Sequence, residues 1–63
     1  MDTEQARKEM RKLLLSRDTS RLSTAFLSIA NDYLNYNYEM SNAMLVSMVR
    51  KLREQPVRYE PAL

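Results

Sequence analysis

The sequence contains no cysteine, no histidine and no glycine, and these three absences remove most of the chemistry that 63 residues could carry. Without Cys no disulfide can staple a small core, and without Cys or His there is no ordinary zinc site. Without Gly there is neither a phosphate-cradling loop nor the tight turn that presents a nucleophilic serine. The carboxylates are scattered singly, whereas general acid–base catalysis wants a pair of titratable groups sharing a pocket. No acidic loop has the ligand spacing that calcium requires. No catalytic residue, metal ligand or cofactor is therefore expected, and the chain reads as a non-enzyme.

Long apolar runs are also missing. Leu13-Leu14-Leu15 is too short for a signal peptide and follows dense charge. The cation-free middle is broken by Asn31, Asp32, Asn35 and Asn37, so no membrane span is expected. Asp2, Glu4 and Glu9 argue against an organellar presequence. A cytoplasmic setting fits the lack of cysteine.

What is present is strong helical periodicity. Asp2 and Thr3 are candidate caps for a first helix, whose Ala6, Met10, Leu13 and Leu14 share one face while Arg7, Lys8, Arg11 and Lys12 lie largely off it. Ser16 to Ser20 is a soft break, with Asp18, Thr19 and Ser20 each able to cap the next helix; a continuous helix through it is the alternative. Leu22, Phe26, Ile29, Tyr33 and Tyr36 then recur at heptad-like spacing, with Leu27, Ala30 and Leu34 as a second stripe. So wide an apolar face asks for two partner surfaces, which suits a second helix sandwiched between the other two or between protomers. Asn35 to Glu39 reads as a connection in which asparagine takes the left-handed conformation, with some strand character in the alternating tyrosines. The third helix is capped by Ser41 and stopped by Pro56, and its Leu45/Val49/Leu52 seam is expected to meet the second helix.

The predicted helices are thus about 3–16, 20–35 and 41–55, followed by an extended, proline-containing tail over 56–63. The predicted fold is all-α: a small antiparallel bundle of two to three helices. So short a chain buries only about 60% of its unfolded surface. With disulfides and metals excluded, homodimerisation is the expected supplement.

Function is read from what the helices leave over. Met40, Met44 and Met48 recur at i, i+4 and i+8; thioether side chains adapt to a partner's irregular surface. Tyr36 and Tyr38 in the second connection, and Tyr59 in the tail, are further candidate contacts. Val57, Tyr59 and Leu63 on an extended backbone could also serve as a peptide ligand, although a loosely packed terminus is the simpler expectation. Six cations against two acids between Arg7 and Arg21, and four against one between Arg50 and Arg58, make both flanks basic around a cation-free middle. The favoured reading is a small regulatory or adaptor protein that binds a protein partner through apolar helix faces, its basic flanks steering it to an acidic surface. The alternative is a dimeric DNA-binding regulator touching phosphates through Arg7, Lys8, Arg11, Lys12, Arg50, Lys51 and Arg53. Against it, the first half of the third helix, which would enter the groove, has no cation.

Overall fold

Helix α1 (Thr3–Ser16) begins at a reciprocal cap. The Asp2 carboxylate accepts the Gln5 amide at 2.8 Å, and the Gln5 side chain accepts the Asp2 amide at 3.4 Å. These contacts belong to a computed structural model of the chain, which describes residues 2–58. The remaining helices are α2 (Thr24–Leu34) and α3 (Asn42–Arg53), and among the described residues the domain is all-helical, with no sheet.

α1 leaves its helix at Arg17, whose backbone is extended (φ −108°, ψ 154°). Arg17 then forms an antiparallel bridge with Val57: the Asp18 amide donates to Pro56 O and the Arg58 amide to Ser16 O, both at 2.8 Å. The Arg17 guanidinium reaches the end of α3, donating to the carbonyls of Arg53 (3.2 Å) and Gln55 (3.0 Å). A cation there satisfies carbonyls that no helical amide can reach. The tail over 56–58 is therefore docked rather than loose, because its backbone groups find partners in the first connection. Tyr59 and Leu63 lie outside the described residues.

α2 starts four residues later than the sequence suggests. Asp18 spends its carboxylate on the Ser20 amide (2.9 Å), closing a turn in place of a helix, and Ser23 caps α2 by accepting the Phe26 amide at 3.1 Å. Leu22, just before that cap, is buried. With Leu27 it occupies the two positions of a hydrophobic staple, which fixes where the helix can begin. α3 repeats the device: Ser41 caps the Met44 amide at 3.2 Å, and Met40 and Leu45 hold the staple positions.

The helices are arranged around α1, not around α2. α1 packs against both neighbours, while no Cα of α2 comes within 8 Å of α3. The backbone nearest the Leu45/Val49/Leu52 seam is therefore that of α1, and the seam shares one core with Ala30 and Tyr33 of α2. Ala6 on α1 is wholly buried, and so small a residue admits a close-packed neighbour. The core draws on all three helices through Ala6, Met10, Leu13, Ala30, Tyr33, Leu45, Met48, Val49 and Leu52, with Leu22 from the first connection.

Candidate functional site

The second connection, not the helix faces, carries the most distinctive chemistry. α2 ends in a pair of crossed hydrogen bonds, Tyr36 amide to Tyr33 O (3.1 Å) and Asn37 amide to Asp32 O (2.8 Å), which satisfy its last carbonyls. This closure needs one residue with positive φ, and that residue is Tyr36 (φ 61°), where an asparagine was expected. A left-handed non-glycine residue costs about 1–2 kcal/mol.

The compensation comes from α1. The Arg7 guanidinium lies 3.9 Å from the centre of the Tyr36 ring and 4.2 Å from that of Tyr33, and its Nε donates to Tyr33 O at 3.4 Å. Glu4 completes the set, 3.4 Å from Arg7 Nη1. Cation–π contacts contribute about 0.5–2 kcal/mol, more as the cation is desolvated, enough to offset the strain at Tyr36. Arg7 is only 5% exposed. It is a packing residue, contrary to its placement among the solvated cations, because an arginine stem is apolar enough to lie in a core while its planar head stacks on rings. Tyr33 is held from its other end, its hydroxyl donating to Thr3 O at 3.4 Å. Burial pushes the Tyr33 phenol above its ordinary pKa, with Arg7 opposing the shift.

Outside this stack the chain exposes apolar side chains. Tyr36 is 64% exposed despite Arg7 against its ring, and Tyr38 and Met44 are also exposed. Of the methionine stripe, Met48 is in the core and is not available as a contact, while Met40 is half-buried against the core at its staple position. Only Met44 presents an open thioether. It occupies the third position of α3, where Glu or Gln would complete a reciprocal cap with Ser41. Tyr59 lies outside the described residues.

Two further exposed apolar residues lie elsewhere: Leu15, which the sequence reading of surfaces left out, and Val57, which it named only as part of a possible peptide ligand. Leu15 (70% exposed) and Val57 (68%) sit at the opposite end of α1, near the Arg17 bridge. Leu15 lies about 100° further round the helix than Leu14, off the face that Ala6, Met10, Leu13 and Leu14 share.

The cations proposed for phosphate contact are dispersed. Arg7 is consumed in the core, Arg53 pairs with Glu9 at 3.3 Å, and Lys51 lies 5.7 Å from the centre of the Phe26 ring. Lys8, Arg11, Lys12 and Arg50 are exposed. A shallow depression of about 430 Å³ is lined by Gln5, Lys8, Glu9 and Lys12, and its one carboxylate is the partner of Arg53. Among the described residues, no three acidic side chains converge to hold a metal ion. No described helix is long and apolar enough to cross a membrane. Asp18 at the first connection sits below its usual carboxylate range, chiefly through the hydrogen bonds it accepts from Ser20.

A scan against protein-family models and searches of curated proteins and of solved structures found no match to this chain.

Proposed function

We propose that this chain is a small non-enzymatic regulatory or adaptor protein that docks on another protein through the surface formed by Tyr36, Tyr38 and Met44. The observation that carries the reading is the pair of apolar side chains held at sites where polar or flexible residues would fold more easily. Tyr36 occupies a left-handed position natural to Gly or Asn, and Met44 a capping position natural to Glu or Gln. Both are open to solvent. Rigid exposed tyrosines and adaptable methionines are the side chains that protein interfaces favour.

Basic steering toward an acidic partner drops out of this reading, since Arg17, Arg53 and Arg58 gather where α1 and α3 end, away from Tyr36. Alternating helix direction belongs to it. In support, the end of α2 meets the start of α1 through Tyr33 and Thr3, and the end of α3 meets the end of α1 through Arg17. Homodimerisation is retained from the size argument, and a cytoplasmic setting from the cysteine-free composition.

A photo-crosslinking side chain in place of Tyr38 should trap a protein partner, and Met44→Asp should abolish trapping while leaving the melting curve intact. Undiminished trapping by Met44→Asp rejects this surface. Light scattering decides the dimer. A gel shift with generic duplex DNA should show no complex at low salt; a complex that weakens steeply as salt rises would replace this reading with DNA binding.

A further inference from the structure

We infer that the Tyr36 surface takes an arginine-bearing apolar segment of a partner protein, with a guanidinium stacked on the outer face of the Tyr36 ring and apolar side chains against Met44. This rests on the docking reading above and supplies the partner's chemistry. One face of the ring already holds a guanidinium, that of Arg7 at 3.9 Å, and the residue is still 64% exposed. A residue so exposed leaves ring surface away from Arg7 open, and its quadrupole attracts a second cation, less strongly than the first because Arg7 already sets a positive charge on the other side.

Apart from the buried Arg7 guanidinium against the ring, the charges around this surface have one sign. Residues 2–6 and 31–44, which comprise the start of α1, the end of α2, the second connection and the start of α3, carry Asp2, Glu4, Asp32 and Glu39 with no Lys or Arg. All four acids are exposed. The first open cation along α1 is Lys8, one turn from Glu4. An acidic partner would meet like charge here, at a cost in both encounter rate and affinity, whereas a basic one is drawn in. Arginine fits better than lysine, because a planar, weakly hydrated guanidinium stacks on an aromatic ring and forks onto a carboxylate at once. Glu39, three residues from Tyr36 and without a hydrogen bond among the described residues, is the carboxylate placed to receive it.

The test follows backbone amide shifts of the full chain on titration with two blocked peptides, one of leucines and arginines, the other of leucines and glutamates. The arginine peptide should shift the amides of residues 36–44 and bind at least about tenfold more tightly than the glutamate peptide. Glu39→Arg, a change at an exposed loop position, should erase that preference, and Tyr36→Phe, which keeps the ring, should preserve it. Equal binding of both peptides at residues 36–44 overturns the arginine inference and leaves the docking surface standing. Shifts confined to the Leu15 and Val57 end, or none from either peptide, overturn both. Concentration-dependent shifts of residues 36–44 without peptide, together with a doubled solution mass, would assign the surface to a second copy of the chain and overturn the inference.

Discussion

Arg7 shows how a charged side chain can be structural without an internal strong ion pair. Its one carboxylate partner, Glu4, has a side chain that is largely in solvent, so the pairing is screened. What holds the guanidinium is stacking between two rings and the Tyr33 carbonyl, which also accepts the Tyr36 amide. Arg7→Ala should lower stability by about 2 kcal/mol, through a lost charge-assisted hydrogen bond and lost stacking. Arg7→Lys should recover little of it, since an ammonium does not fill the slot between the rings. Tyr36→Gly tests the coupling. In the native background, relief of strain and loss of stacking nearly cancel, whereas in Arg7→Ala the same change should stabilise by about 1 kcal/mol. A urea-denaturation cycle over the four proteins reads the difference directly. Tyr33 adds a pH signature. Its folded-state pKa is raised, so above about pH 10 the unfolded chain loses the phenol proton first. Its contribution is complete below that pH and is lost as pH rises through the folded value. Tyr33→Phe should flatten this alkaline decline in a series of melts. Little of this stack was legible in the sequence. Helical spacing sorts residues by polarity, which puts Arg7 with its charged neighbours, and only Tyr33 and Tyr36 at i, i+3 hinted at a slot.

At the scale of elements, much more could be read from the chain, because helix signals are local. Asp2 and Gln5 stand at capping-box spacing, Ala6, Met10 and Leu13 repeat on one face, and Pro56 stops α3. The start of α2 falls later than the sequence suggests because Asp18, Thr19 and Ser20 can each cap as well as Ser23 does, and spacing alone does not rank them. Burial ranks them: starting at Ser23 puts Leu22 and Leu27 at staple positions, and Leu22 is buried. Ser23→Ala and Ser41→Ala should each cost about 1 kcal/mol. Ser20→Ala, at the residue whose amide closes the Asp18 turn, should change stability by no more than a few tenths. Equal losses at Ser20 and Ser23 in thermal melts would mean that α2 begins earlier in solution. The methionine stripe divides on the same logic. Period alone makes Met40, Met44 and Met48 equivalent, but Met48 faces the core and Met40 staples the helix start, leaving Met44 outside.

For the molecule as a whole, the unexpected feature is that α1, the most highly charged helix, occupies the centre. The wide apolar face of α2 suggested the reverse, yet the backbones of α2 and α3 pack close to α1 and not to each other, side chains such as Lys51 and Phe26 bridging the wider gap. Two kinds of contact make that possible: apolar packing of α3 on Ala6, Met10 and Leu13, and the Arg7 stack on the α2 side. The far end is tied by the tail, because the Arg17 to Val57 bridge fastens the exit of α1 to the chain leaving α3, and Arg17 itself closes the carbonyls of α3. Such a tie joins segments about forty residues apart in sequence, which no local pattern can announce; the alternation that marks longer strands does not exist in a three-residue bridge. Its contribution can be isolated by ending the chain after Gln55. The truncation removes two backbone hydrogen bonds and leaves Arg17 with its α3 carbonyls, so the loss should be about 1–3 kcal/mol. In a domain of this size that lowers the melting temperature by roughly 4–8 °C for each kcal/mol. Hydrogen exchange supplies the local control: in the intact chain the Asp18 and Arg58 amides should be protected, and Asp18 should exchange freely after truncation. A truncated chain that melts at the original temperature, with the Asp18 amide still protected, would show that the first connection is held by α1 and α3 alone.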